Sequence, residues 1–349
     1  MAIDKRKQKL QILKKVFIAI LIIIAAIFLI RYYFKHYYVV ESVNTPIVWE
    51  DDEIPTDEDD DETSADDDSS IQQDETIQTD GILKVHMIDC GQGDSFLFEQ
   101  NGKFGLIDCG TRSSGKDVVY YLQKQGVSKL QFVVGTHPHD DHMGGMYDVL
   151  DNFNCKTVYI PKVEDGLVTT QWYMKLMKKI KEDNIKVVNP KVNSKFKLGD
   201  AIFKVVGQLS SEEAGNNINN YSTVIKVSFG EMDILMTGDA ETKVEEEMLK
   251  NSKISLECEV LKLGHHGSNT STETEFLEEV NPDYGLISCE VGNKYEHPST
   301  ETMKKLKKRK VKVFRTDEQG DIVMTVTGNS ISFDKKPGSY IDGVSLAKK

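Results

Sequence analysis

Thr136-His137-Pro138-His139-Asp140-Asp141-His142-Met143-Gly144-Gly145 follows an apolar run, 130–134, that reads as a buried strand. Three imidazoles and two carboxylates fall within six residues, and such side chains hold zinc or a similar divalent metal. The spacing supplies the arrangement. Pro138 disfavours helical geometry at His137, so the segment runs extended, and residues two apart in an extended chain point to the same side. His137 and His139 can therefore grip one metal together. Asp141 and His142 come after the bend and can face a second, while Gly144 and Gly145 let the backbone turn tightly into a following helix. A polar loop with no metal would leave four ligand-type side chains clustered without a reason.

Two later turns are built alike. Thr237-Gly238-Asp239-Ala240-Glu241 closes the strand-like 233–236 and opens a helix-like 243–249, and Gly264-His265-His266-Gly267-Ser268 follows the apolar 260–263. Five of the eight histidines thus stand at two strand-end turns, which suits a metal centre at one rim of a sheet. A carboxylate such as Asp239 can bridge two metals, and one or both of His265 and His266 can complete the site. From 81 onward, strand-like stretches (82–88, 95–99, 104–107, 158–161, 186–188) alternate with helix-like ones (116–125, 170–182), and 195–206, 223–229 and 233–236 make the centre β-rich. The pattern argues for a layered fold of strands and helices.

The N-terminal part differs in kind. Residues 16–30 are unbroken apolar sequence behind Lys5, Arg6, Lys7, Lys9, Lys14 and Lys15 and ahead of Arg31, Tyr32, Tyr33 and Phe34. Fifteen helical residues cover about 22 Å against a hydrocarbon core of about 30 Å, so snorkelling Lys14, Lys15 and Arg31 and interfacial tyrosines complete the span. The heavier positive flank places the N-terminus in the cytoplasm and the bulk of the chain outside. No small-residue cleavage site followed by polar residues comes after the run, so the expectation is an uncleaved anchor. Residues 50–80 carry sixteen Asp or Glu and no Lys or Arg; such a stretch repels itself and reads as a disordered tether. Because those sixteen carboxylates outweigh the whole chain's net charge of -13, acidity says little about the substrate of the folded part. The chain of 349 residues therefore divides into a basic cytoplasmic tail (1–15), a transmembrane anchor (16–34), a membrane-proximal segment and acidic disordered linker (35–80), a catalytic domain (81–335) and a C-terminal tail (336–349).

The order HxHxDH, then Asp239 in TGDA, then HHGS resembles the metallo-β-lactamase fold. His86-Met87-Ile88-Asp89-Cys90-Gly91-Gln92-Gly93-Asp94-Ser95, Leu106-Ile107-Asp108-Cys109-Gly110 and Asn293-Lys294-Tyr295-Glu296-His297-Pro298 are similar to blocks of the soluble metallo-β-lactamase-like domain of ComEC competence proteins, over about 82–333. The resemblance implies an α+β fold, a four-layer αββα sandwich, with a hydrolytic site for one or two metals between the strand ends. It implies His137 and His139 for the first metal, Asp141 and His142 for the second, Asp239 as the bridge and His265 or His266 as the last histidine. One departure stands out. Many two-metal members carry another histidine between the HxHxDH loop and the bridging aspartate, and here none occurs from 143 to 264. Water, Asn220 or a neighbour within 216–222 is expected to complete the first site. No set of multiple membrane-spanning segments is present, so the expectation is an anchored enzyme domain and not an uptake pore.

A divalent metal lowers the pKa of bound water from about 15.7 towards 7 and polarises a phosphoryl oxygen. Zinc is the first expectation; mixed histidine and carboxylate donors also suit manganese and iron. Asp141 and Asp239 are expected to orient the activated water, and His297 to contact substrate or donate a proton. Asn220, Ser268 and Tyr295 are weaker candidates for substrate binding, as is Lys262 for phosphate. Asp89, Asp94 and Asp108, in glycine-flanked strand ends, read as supports of the metal loops. His86 and His36 do not read as ligands. The five cysteines are odd in number and match no zinc framework, although Cys90 and Cys109, in equivalent Asp-Cys-Gly turns, are placed to pair. Lys304, Lys305, Lys307, Lys308, Arg309, Lys310 and Lys312 form the dense basic cluster that could border a nucleic-acid groove.

The expected function is that of a membrane-anchored extracytoplasmic phosphodiesterase or nuclease. The rivals are an esterase acting on phosphorylcholine-bearing teichoic acid in the cell wall, with Trp172, Tyr173 or Tyr295 lining a choline pocket, and a non-catalytic binding module that keeps its metal for structure. The expected partners are the membrane, through the anchor, and DNA or another phosphodiester as substrate; the sequence names no protein partner.

Overall fold

Alternation of side chains across the strands dictates two sheets that share one core. The computed structural model describes residues 49–50 and 81–349. In chain order the strands are β1 (Trp49–Glu50), β2 (Leu83–Met87), β3 (Phe96–Gln100), β4 (Lys103–Ile107), β5 (Lys129–Val134), β6 (Asn154–Tyr159), β7 (Lys186–Val188), β8 (Lys195–Leu198), β9 (Ala201–Gly207), β10 (Val224–Phe229), β11 (Met232–Met236), β12 (Val260–Lys262), β13 (Tyr284–Ile287), β14 (Lys312–Arg315), β15 (Ile322–Val326) and β16 (Ile331–Phe333). Among the described residues one sheet runs β1-β7-β6-β5-β4-β3-β2-β15-β16 and the other β14-β13-β12-β11-β10-β9-β8. Leu83, Val85 and Met87 of β2 and Phe132 and Val134 of β5 meet Phe203 and Val205 of β9 and Ile234 and Met236 of β11 in the layer between the sheets. The rings of Phe132 and Phe203 lie edge to face at 5.0 Å, and Phe196 stacks on Phe203 at 5.1 Å, so aromatic packing bridges the two sheets.

The opposite faces of the strands are covered by helices. Leu235, Leu261 and Leu263 pack with Val244, Met248, Phe276, Leu277, Met303 and Leu306 from helices Thr242–Lys250, Thr274–Val280 and Thr300–Arg309. On the first sheet, helices Gly115–Lys124, Met146–Asn152 and Gln171–Glu182 bury Val118, Leu122, Val149, Leu150, Leu176 and Ile180. The order is helix, sheet, sheet, helix, with α+β content as expected.

Three features depart from the sequence reading. The stretch 195–206 is two antiparallel strands, because Gly199, at φ +59°, turns the chain between Leu198 and Ala201. Trp49–Glu50 runs parallel to β7 at the edge of the first sheet, ahead of the boundary drawn at 81; the rest of 35–80, and with it the linker, anchor and basic tail, lies outside the described residues. Among the described residues no helix is long and apolar enough to cross a membrane. Residues 336–349 do not form a separate tail. Arg315, fully buried, makes two parallel bonds to Asp317 at 2.7 and 2.6 Å and donates to the carbonyls of Ser339 and Ile341. Gly343 N–H donates to Pro298 O at 2.9 Å and Tyr340 Oη to Val311 O at 2.7 Å, so the C-terminal segment is fastened over the ends of the second sheet.

Removing one member of a buried ion pair leaves the other uncompensated, at a cost of about 3–5 kcal/mol. Arg315→Ala is therefore expected to lower the urea midpoint by an equivalent amount and to make the chain after residue 336 susceptible to protease while 81–335 is still folded. A cleavage pattern unchanged from wild type would show that the segment is held by other contacts.

Candidate metal centre

Parallel pairing fixes where the ligands can meet. β4 runs parallel to β5, and β11, β12 and β13 run parallel to one another, so the turns after each of these strands emerge at the same edge of their sheet. Asp108 follows β4, the histidine loop follows β5, Asp239 follows β11, His265 and His266 follow β12, and Ser288 follows β13. In the histidine loop His139 is extended (φ -91°, ψ 155°), and Asp140–Met143 forms a single helical turn that swings Asp141 and His142 onto the next face. Gly144 has helical dihedrals (φ -60°, ψ -42°), so a tight turn is not its role. A Cβ on Gly145 would fall 2.1 Å from Cys109 O, and one on Gly144 2.5 Å from Arg112 N; these glycines let the loop after β4 lie against the histidine loop. Cys109 N–H then donates to His142 O at 2.7 Å.

Asp239 stands at the centre, and its two oxygens face different partners. Oδ1 lies 3.1 Å from His142 Nε2 and 3.4 Å from His266 Nε2, which is itself 3.5 Å from Asp141 Oδ2. Oδ2 lies 3.8 Å from His137 Nε2, and that nitrogen is 3.0 Å from His139 Nδ1. Two groups result, Asp141/His142/Asp239/His266 and His137/His139/Asp239, the ligand atoms in each lying within 4.8 Å of one another. Asp239 Oδ1, His142 Nε2 and His266 Nε2 are buried and have no hydrogen-bond partner. Buried polar atoms left in that state are costly, and their separations match the spacing of about 3.3 Å between donors on a tetrahedral ion with bonds of about 2.0 to 2.1 Å. The residues fit a metal.

Outer contacts set the tautomers. Asp108 Oδ2 lies 2.7 Å from His142 Nδ1 and accepts from Thr136 Oγ1 at 2.8 Å, while Oδ1 accepts from Thr136 N–H at 2.8 Å. Ser288 O lies 2.7 Å from His266 Nδ1. Carbonyl and carboxylate oxygens only accept, so in both rings Nδ1 carries a proton and Nε2 is the nitrogen that a metal would take. Ser222 Oγ lies 3.3 Å from His137 Nδ1 and accepts from Asp239 N–H at 3.1 Å, joining the two halves. Beneath them Asp94 Oδ2 and Lys262 Nζ form an ion pair at 2.7 Å, both fully buried.

The charge of the cluster calls for a cation. Burial alone would strip the protons from His142 and His266. Asp239 and Asp108 nevertheless hold His142 well above the ordinary imidazole range, and Asp239, Asp94 and Asp141 push His266 up to about 10. Asp239 is likewise held well below the usual carboxylate range: burial opposes this, but His142 and His266 outweigh it. Protons here take the place of positive charge that a metal would supply. His137 and His139 are neutral, lowered chiefly by burial.

The other predicted residues fall in varied places. His297 is close: its ring centroid is 5.2 Å from His265 and 6.5 Å from His266, its Nδ1 is buried without a partner, and burial, helped by those two histidines, lowers it to about 4. Half-exposed Tyr295 stacks on His297 at 5.8 Å. Ser268 spends its hydroxyl on Thr270 within its own turn, and Asp89 caps Gly91 N–H at 3.2 Å from an exposed position. Asn220 is buried with Oδ1 unpartnered; the neighbouring Asn219 donates its amide to Glu241 at 3.0 Å. Lys262 cannot meet a phosphate, being enclosed with Asp94. All five cysteines are free thiols, Cys90 and Cys109 included. The basic cluster is misplaced for a groove: Lys312 pairs with Tyr284 at the start of β13, at the opposite end from Ser288, and Lys305 and Arg309 are engaged by Glu273 and Glu278. Sequence reasoning reached Asn219 and Ser222 only as members of 216–222, and missed Glu241 and Ser288. Glu241 was visible two residues after Asp239, but nothing in the sequence showed which way it faces.

The profile of the metallo-beta-lactamase superfamily matches residues 88–290. ComE operon protein 3 of Bacillus subtilis is 30% identical over 258 residues, which cover 68% of this chain and 32% of that protein. Competence protein ComA of Neisseria gonorrhoeae is 29% identical over 235 residues (66% and 30%), and Recombination protein 2 of Haemophilus influenzae 30% over 245 residues (68% and 28%). The match thus spans about a third of the length of these relatives.

Loss of the shared carboxylate and loss of a supporting one should differ in degree. Asp239→Ala is expected to leave the purified protein with little metal by elemental analysis after dialysis. Asp108→Ala should keep the ligand set and weaken binding by about 10–100-fold. Equal metal content in Asp239→Ala and wild type would remove Asp239 from the centre.

Proposed function

The chain belongs to the metallo-β-lactamase superfamily, and from that we propose a metal-dependent hydrolase that cleaves phosphodiesters, with a nuclease as the favoured form. The observation that carries the reading is the divided carboxylate of Asp239, with a separate nitrogen set on each oxygen. In this reading His137, His139, Asp141, His142, Asp239 and His266 hold zinc, one ion in each group. Bound there, the metal supplies Lewis acidity and a water acidic enough to attack at neutral pH. The protein's own part is positioning. Asp108 and Ser288 fix the rings of His142 and His266, and Asp141, tied to the cluster through His266, orients the attacking water. Neutral His297 offers its unpartnered nitrogen to a substrate oxygen or proton.

The choice of phosphodiester draws on the competence and recombination named in the relatives, and on Lys294, which lies over the ring of Tyr295 at 4.8 Å beside the site. The basic helix Thr300–Arg309 supplies no such support. We further propose that residues 16–34 anchor the enzyme in the membrane and that 81–349 works outside the cytoplasm on the acidic tether.

Offered single- and double-stranded DNA, RNA and a generic phosphodiester with zinc or manganese, the protein is expected to cleave at least one. His139→Ala and Asp141→Ala should each lose turnover by several orders of magnitude, and chelation should abolish it and lower the melting temperature. Turnover that survives both substitutions would place the chemistry elsewhere. Release of phosphorylcholine from phosphorylcholine-bearing teichoic acid with no cleavage of nucleic acid would replace the substrate.

A further inference from the structure

The two halves of the centre are unequally supplied. One group holds Asp141, His142, His266 and Asp239, the other only His137, His139 and Asp239. No histidine between 143 and 264 is available to the poorer half. His265 stands beside that half: its Nε2 is 3.7 Å from Asp239 Oδ2, the oxygen that faces His137, whereas the neighbouring His266 addresses Oδ1. His265 and His266 both adopt left-handed backbone angles (φ +47° and +54°), and this double twist sends adjacent side chains to opposite oxygens of one carboxylate.

The other nitrogen of His265 is equipped as a ligand's would be. Nδ1 lies 3.3 Å from Glu241 Oε1 and 3.2 Å from Thr270 Oγ1. Thr270 already donates its hydroxyl to Glu241 at 3.2 Å, so it accepts from His265; the proton is on Nδ1, and the lone pair of Nε2 faces Asp239. Glu241 is fixed by Asn217 at 2.7 Å and Asn219 at 3.0 Å. That carboxylate therefore orients His265 directly.

We infer that His265 is the third nitrogen ligand of the His137/His139 half, taking the place of the absent histidine, with Glu241 as its positioning residue. The inference rests on the reading of this rim as a metal centre. His265 stands outside the tightest grouping of donors, and its side chain is 23% exposed.

The test is a cobalt(II) titration of the full-length apoprotein, followed by visible absorption and by equivalents bound, with no substrate present. Glycine suits a left-handed position, so His265→Gly should fold, which circular dichroism checks. Wild type should bind two equivalents. His265→Gly should bind one tightly and the other more weakly than Glu241→Gln does, and Glu241→Gln should weaken that same equivalent by about 10–100-fold. Added imidazole should restore the band lost in His265→Gly, and His139→Ala should affect the same equivalent while His266→Ala affects the other. Two equivalents of unchanged affinity and spectrum in His265→Gly would overturn the inference while leaving the hydrolase reading intact. A wild type that binds no cobalt would end both. Two bound ions with no phosphodiester cleaved would count against the substrate and not against His265.

Discussion

One carboxylate shared between two sets of imidazoles is the constraint that organises this molecule. Asp239 is buried at the end of a strand in the second sheet, while three of the histidines around it come from the first. The sheets must therefore pack in a register that brings both rims together. The bridging aromatic rings and the aliphatic layer around them provide that register, so the core and the site are one structural problem. An error of an ångström in sheet packing would separate Asp239 from His137 more readily than it would unfold the protein.

Around that carboxylate the protein spends its polar groups on orientation. Asp108, Ser222, Ser288, Asn219 and Glu241 each bond a ring nitrogen or a residue that does. Such partners leave one nitrogen of an imidazole free and hold it in place before any ligand arrives, which lowers the ordering cost of binding. The Asp94–Lys262 pair lies beneath His266 and His142, where water is excluded. Its position explains why the lysine is buried: it offsets part of an acidic cluster that neutral groups could not.

The surroundings of the centre are asymmetric. On one side Tyr295 and His297 stack in line with His266, giving a ladder of rings from the exposed surface to the ligands. On the other, the Arg112–Asp140 pair borders the histidine loop. The lysines of Thr300–Arg309 lie along a helix that leads away from it.

Much of this was legible in the sequence because metal ligation is local in part. Donors at 137, 139, 141 and 142 follow from a proline, an extended stretch and one helical turn, all short-range effects. The turns at 239 and 265–266 could be recognised as strand ends by their own residues. What the sequence could not fix were distances across the sheets. It could not say that His265 and His266 face different oxygens, that Asn219 holds Glu241 beside His265, that Lys262 is sealed under Asp94, or that Lys312 sits at the end of its strand opposite Ser288. Those outcomes depend on strand direction, on left-handed angles at two adjacent residues and on contacts between positions a hundred apart in the chain. Composition and spacing carry no record of them, because side-chain direction in a turn is decided by what packs against it.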